Sequence, residues 1–324
     1  MDSVFSGIVA TTGITNGKRL YKEDLESFVE NMNRFGMRPI NIDHNMSKCI
    51  GKAGNAEIIE LENGELAVQC TIYYYDSIEI IDDEIGSFSR MFSSKNSQGF
   101  HNVIPPETLV IAYDYDFQDP KFEEYMGSLK YQNIEIKENV RHASGIIPQI
   151  VIHFPHDLIY ALYWWAFLIL KDSANKTVEK VSSKISDDIS DMISKNILNI
   201  WEILKNSSHI LKDSKLPEIE LSLFGNPNIE IKFNLKDIDS LKKYFNFENF
   251  LDIVSTGIKY SKKYDIQKIR YSLTPEGWKF NYMVDMSGST IYPREEGEKI
   301  YQKIVTMDKV GMGLSMEAMF KKKD

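Results

Sequence analysis

Apolar residues at Leu25, Phe28, Val29, Met32 and Phe35 recur three and four positions apart, with Gly17 before them and Gly36 and Pro39 after. That spacing puts them on one face of a helix and predicts an amphipathic helix across 23–33. The period then drops to two. Alternating runs predict strands at 39–43, 56–61 and 66–73, and the last two are joined by Glu62-Asn63-Gly64-Glu65. Asn-Gly between apolar runs is a strong local hairpin signal. Two more strands are expected at 87–92 and 109–117. Residues 1–125 therefore read as a β-rich, small barrel-like or sandwich unit with a flanking helix.

Residues 126–212 read as mostly helical. Within them, 158–170 is LIYALYWWAFLIL, uncharged and strongly apolar. A helix at 157–170 is too short for a bilayer, which takes about 20 apolar residues. Two readings follow: a core helix, or contact with a membrane through 146–170, since Tyr160, Tyr163, Trp164 and Trp165 suit the headgroup zone. Further on, Val178, Val181, Ile185, Ile189, Met192, Ile193, Ile197, Ile200, Trp201 and Leu204 stand apart among Ser, Asp, Lys and Asn. Their near-heptad spacing permits either intramolecular packing or a homo-oligomer.

Residues 213–324 read as a C-terminal α/β sandwich-like domain. Strands at 218–224 and 229–235 flank the turn residues Gly225-Asn226-Pro227-Asn228. A helix or helix pair is predicted over 241–260, a hairpin from 268–273 and 278–286 over Thr274-Pro275-Glu276-Gly277, and a helix at 294–307. The expected class is α+β in three consecutive parts.

Composition narrows the functional field. Of 324 residues, 43% are apolar and 26% charged, which is enough to bury substantial cores. Lys and Arg total 38 against 47 Asp and Glu, a net charge of −9. Such a chain lacks the broad basic field of a nucleic-acid binder, so no nucleic acid is expected as a partner. Cys49 and Cys70 are the two cysteines, too few for a disulfide framework or a cysteine-rich zinc module. The start, MDSVFSGIVATTG, lacks a basic stretch followed by an apolar one, so the expected address is cytoplasmic, with membrane association as the variant. His153, His156 and Asp157 have no third His or Cys at a supporting spacing, and 309–313 lacks the ending of a phosphate loop, so no metal and no cofactor is expected.

Candidate chemistry lies in the first part. His44 ends the alternating stretch Ile40-Asn41-Ile42-Asp43, where an imidazole can serve as a general base. Downstream, Ser87-Phe88-Ser89-Arg90 offers hydroxyls that such a base could activate.

The order of these pieces resembles the capsid-maturation serine proteases of tailed phages, especially those fused to scaffolding proteins, relatives of herpesvirus assemblin. The resemblance runs through Ile8-Val9-Ala10-Thr11-Thr12-Gly13, Thr15-Asn16-Gly17-Lys18 and the first helix. It continues through the strand ending in His44, Ile50-Gly51-Lys52-Ala53, Gly64-Glu65-Leu66-Ala67 and Phe88-Ser89-Arg90-Met91. It closes on Leu109-Val110-Ile111-Ala112 and Asp119-Pro120, about a third of the chain. It implies a serine endopeptidase with His44 as base and Ser89 as nucleophile, Ser87 being the fallback, acting on a protein substrate or a capsid-type partner. One departure matters. Asn16 stands where the scaffold-fused members carry an acid in a Thr-Asp-Gly turn. Losing the carboxylate of such a triad costs about 10⁴ in kcat. Asp114 or Asp116 is the alternative third member, and Arg90 could assist an oxyanion. The other expectation is a catalytically weak or inactive protease-like binding module within a multidomain, phage-sensing or host-defence protein.

Overall fold

The computed structural model describes residues 4–15, 18–35, 37–41, 48–100, 105–114, 120–130, 134–139, 149–172, 182–211 and 217–309. Its elements run β1 (Val4–Thr11), β2 (Ile14–Thr15), β3 (Lys18–Arg19), α1 (Lys22–Phe35), β4 (Arg38–Asn41), β5 (Cys49–Glu60), β6 (Leu66–Tyr74), β7 (Ser77–Asp82) and β8 (Ser87–Phe92). Next come β9 (Val110–Asp114), α2 (Pro120–Leu129), β10 (Glu135–Asn139), β11 (Gln149–His153), α3 (His156–Asp172) and α4 (Ser182–Ile210). The chain continues with β12 (Glu218–Leu223), β13 (Asn228–Asn234), α5 (Ile238–Leu241), α6 (Phe247–Tyr264), β14 (Ile266–Thr274), β15 (Gly277–Asp285), β16 (Thr290–Pro293) and α7 (Arg294–Lys309). The class is mixed α+β, as expected.

Two compact units emerge, each assembled from separate stretches, whereas the sequence reading divides the chain into three consecutive parts. The described residues of unit 1 are those up to 100 and 281–309; those of unit 2 lie within 105–280. The chain passes from one to the other inside β15.

Unit 1 holds two main antiparallel sheets. In the first, ordered β1–β6–β5–β4, strands β5 and β6 form the hairpin that Asn63-Gly64 announces. Gly64 takes a left-handed φ of +81°, which a side chain would resist, while Asn63 Oδ1 accepts from the Glu65 N–H at 3.0 Å. Helix α1 lays Leu25 and Met32 against Ala53, Ala56, Val68, Cys70 and Ile72, and Phe28 stays on its outer side. The second sheet is β15–β16–β8–β7. Strand β7 was not expected, being one short alternating run of six residues. Helix α7 packs on β8, β16 and β7, and Ile300 and Ile304 enter a core with Cys49, Ile50, Tyr75, Met91, Tyr282 and Tyr292.

Unit 2 has the order β10–β9–β11–β12–β13–β14, with parallel pairs β10/β9, β11/β12 and β13/β14 between antiparallel ones. Strands β10 and β11 fall inside the stretch read as mostly helical. The five residues Gln149–His153 lie directly before an apolar helix and merge with its hydrophobic signal. Period two then sorts the faces. Ile150, Ile152, Ile219, Leu221, Ile229, Ile231 and Ile269 are buried on one side. Glu218, Glu220, Glu230, Lys232, Lys268 and Arg270 occupy the other.

Helix α3 answers part of the question its sequence raises. Leu158, Ile159, Leu162 and Ala166 are buried, and α3 packs against α6 and α4. Asp157 sits in its first turn, where a carboxylate suits the helix dipole. Among the described residues, no helix is long and apolar enough to cross a membrane. Helix α4 buries Ile193, Ile197, Ile200, Trp201 and Leu204 and packs on α2, α3, α5 and α6, so this part of its stripe is used within the chain, while Met192 is exposed.

Candidate functional site

Ser89 lies mid-strand in β8, paired with Ile80 of β7 on one side and Tyr292 of β16 on the other. It is wholly buried. Its Oγ donates to the Arg294 carbonyl at 2.9 Å, in the first turn of α7. Gly297 is the roof: a Cβ there would stand 2.5 Å from Ser89 Cβ and 3.1 Å from its Oγ. Only glycine lets the helix approach so closely. In this arrangement the hydroxyl fastens a helix to a strand.

Ser87, two residues earlier on the same face of the strand, is exposed and donates to Asp82 Oδ1 across the β7–β8 ladder. Arg294 Nη1 approaches Asp82 Oδ2 at 3.2 Å and Arg294 Nε approaches Glu298 at 3.2 Å. Solvent screening makes such exposed pairs worth little.

The other expected members fall differently. His44, Asn16 and Asp116 lie outside the described residues. Asp114 ends β9 in unit 2, with its side chain outside the description. Arg90 Nη2 meets Asp285 Oδ2 at 2.5 Å, an ion pair on the opposite face of β8 from Ser89. Ile81 and Glu79 frame that alternation, and Glu79 comes within 3.8 Å of Arg90 Nη1.

A buried polar cluster that sequence reasoning missed centres on Lys52 and Asp285. Lys52 is 1% exposed, and its Nζ donates to the carbonyls of Asn96 (2.9 Å), Gln98 (2.8 Å) and Ser287 (3.0 Å). Burial pushes its pKa down to about 8, opposed by the charge of Asp285. All three ammonium protons are used, so Lys52 holds loops together and has no lone pair to offer while charged. Asp285 Oδ1 accepts from Ser287 N (2.9 Å), Ser287 Oγ (2.6 Å) and Ser289 N (3.0 Å), closing the β15–β16 turn. The spacing Asp285, Ser287, Ser289 was the available signal, since an aspartate that binds backbone two residues on is turn chemistry.

Tyrosines complete the cluster. Tyr292 Oη donates to Cys49 O at 3.0 Å and accepts from Cys49 N at 2.6 Å. Tyr75 Oη donates to Gly288 O at 3.0 Å and lies 2.7 Å from Thr290 Oγ1. Burial raises both phenols well above their ordinary range, so they remain hydrogen-bond donors. Burial likewise pushes the Cys70 thiol up to about 11, which makes it a poor nucleophile.

In unit 2, the charged face of the sheet is cross-linked. Lys232 meets Glu218 at 2.7 Å, Lys268 meets Glu230 at 2.6 Å, and Arg270 meets Glu220 at 2.5 Å and Glu230 at 3.0 Å. His153 stacks on Phe224 with ring centroids 4.8 Å apart, and burial lowers its pKa. Among the described residues, no group of three or more His, Cys, Asp or Glu side chains is placed to hold a metal ion. Comparison with known proteins finds no matching family model, no similar curated protein and no similar solved structure.

Proposed function

We infer that the chain is a protein-binding module with a peptidase-like N-terminal region, engaging a capsid-type protein partner without cutting it through Ser89. The carrying observation is the state of Ser89, buried under Gly297 with its hydroxyl committed to Arg294 O. A nucleophile must reach a carbonyl carbon and hand its proton to a base. A hydroxyl roofed by a helix does neither without displacing α7. The partner class rests on the resemblance of residues 5–122 to capsid-maturation proteases.

Coexpression with phage capsid and scaffolding proteins tests this. Affinity capture should recover the partner uncut, and Ser89→Ala should capture it equally well. A cleavage product that disappears in both Ser89→Ala and His44→Ala would establish the competing reading, a serine endopeptidase with His44 as base. The exposed hydroxyl of Ser87 favours a variant of that reading. Loss of the product in Ser87→Ala alone would identify Ser87 as the nucleophile.

A peripheral membrane contact is a further part of the proposal, on a separate observation. His156, Tyr160, Trp164 and Phe167 form a stacked row along α3, with Tyr160 62% and Trp164 48% exposed. Lys262 Nζ sits 5.7 Å from the centroid of the Phe167 ring. Aromatic rings beside lysine suit the interface of an anionic bilayer. Phosphatidylserine vesicles should float the wild type and leave a Trp164→Ser/Phe167→Ser variant behind. Wild type remaining at the bottom of the gradient would end this part of the reading.

A further inference from the structure

The geometry points to an extended protein segment adding as a strand along the outer edge of β7, in the groove between that strand and α7. This deepens the binding-module reading and rests on it. Among the described residues, β7 pairs with β8 alone and ends its sheet. Asp83 N–H donates to Gly86 O at 3.0 Å. The two-residue alternation of an antiparallel ladder then turns the backbone N–H and C=O of Ile78, Ile80 and Asp82 outward. The side chains of Ile78 and Ile80 line a groove of about 890 Å³, facing Ile300 and Tyr301 of α7. Ile80 is 39% exposed. An open row of backbone donors and acceptors beside an apolar slot is what strand addition uses: main-chain bonds give affinity and alternate side chains give specificity.

Charge selects the occupant. Tyr301 Oη donates to Asp76 O at 2.9 Å, while Arg294 reaches Asp82 at 3.2 Å, so α7 runs antiparallel to β7. Asp82, Glu295, Glu296 and Glu298 therefore gather at one end, outnumbering Arg294 and Lys299. Lys303 lies further along α7, toward the other end, and Lys48 also lines the groove. The complementary strand carries a basic residue at the Asp82 end, apolar residues at alternate positions, and an acidic residue at the Lys303 end.

Selection of a displayed library of random short peptides on the full chain, followed by amide exchange with a selected synthetic peptide, tests the assignment. The enriched peptides should share the basic, alternating apolar, acidic pattern, and binding should slow exchange at Ile78 and Ile80. Ile80→Lys and Glu298→Lys should each weaken binding roughly tenfold. Glu298 is exposed, so that variant reports binding even if Ile80→Lys fails to fold. Peptides that bind both variants unchanged and leave those amides unprotected would overturn the edge mode while leaving the binding module standing. Protection of the same amides by self-association of the free chain would also overturn it, the occupant then being a second copy. A library yielding no enriched peptide would count against both the edge mode and the module.

Discussion

The Asn33 side chain grips both backbone groups of Ala56: its Nδ2 donates to Ala56 O and its Oδ1 accepts from Ala56 N, each at 2.8 Å. The grip falls where β5 shifts register against β6 between Gly54 and Glu57, and where Asn55 takes φ of +52°. A bulge leaves ladder groups unpaired, and a buried unpaired amide costs free energy. Asn33→Ala should therefore destabilise the protein by about 1–2 kcal/mol, the site being near the surface. Asn33→Asp, which keeps only the acceptor, should fall between. Urea denaturation of the three proteins checks the order, and equal midpoints would refute it.

Gly297 and Ser89 form a second tight relationship, and it yields a double-mutant cycle. A Cβ at position 297 would collide with Ser89 Cβ at 2.5 Å. Overpacking of this kind costs about 1–3 kcal/mol, against about 1 kcal/mol of helix propensity gained by replacing glycine with alanine. Gly297→Ala alone should be net destabilising. In the background of Ser89→Gly, which removes that carbon and leaves the 3.1 Å approach to Tyr292 Cβ, the same change should cost clearly less. Additive effects across the cycle would mean that α7 does not roof Ser89.

The sequence was readable where local chemistry decides structure. Asn63-Gly64 specified the β5–β6 hairpin, and the alternation at 87–92 matched β8 from Ser87 to Phe92. Apolar spacing between glycine and proline boundaries predicted α1. What covers each face was not readable. Ser89 pairs with Tyr292 and lies under Gly297, both some two hundred residues away, and a period of two carries no information about that distant partner. Lys52 shows the same limit. A lysine within a short apolar stretch reads as an outward residue until three carbonyls from elsewhere in the chain close over it. Ser89 could be put forward as a candidate from the sequence, but its burial depended on tertiary contacts.

Lys52 makes stability depend on pH in a specific direction. Its pKa is about 8 in the folded protein against an ordinary 10.5. Between those values the unfolded chain binds more protons, so this residue's contribution rises with pH through the window. Below about pH 8 its buried charge costs the full amount, on the order of 3 kcal/mol. Cys70, held up at about 11, works the opposite way, because its thiol ionises earlier when unfolded. The informative quantity is therefore the difference between wild type and Lys52→Met. Denaturation from about pH 8 to 10 should give wild type the more positive slope of stability against pH. Parallel slopes would remove Lys52 as the cause.

Arg270 should be the costliest single charge to remove from unit 2. It is 4% exposed and bridges Glu220 and Glu230. Burial alone would raise the Glu230 carboxyl, but Lys268 and Arg270 outweigh it and hold its pKa below the usual carboxylate value. Breaking such a buried pair strands charge and costs about 3–5 kcal/mol, although the intact network contributes less than its Coulomb attraction suggests. Arg270→Met should therefore lose that amount near neutral pH. The depressed pKa of Glu230 stabilises the fold above its unfolded pKa, and that stabilisation is lost as pH falls through the folded value. With Arg270 gone the depression shrinks, so the gap between wild type and variant should narrow in acid. Urea, being uncharged, leaves these pairs unscreened and is the denaturant to use. A variant within about 1 kcal/mol of wild type at neutral pH, where exposed pairs typically fall, would mean that water reaches the network and supplies what Arg270 supplied.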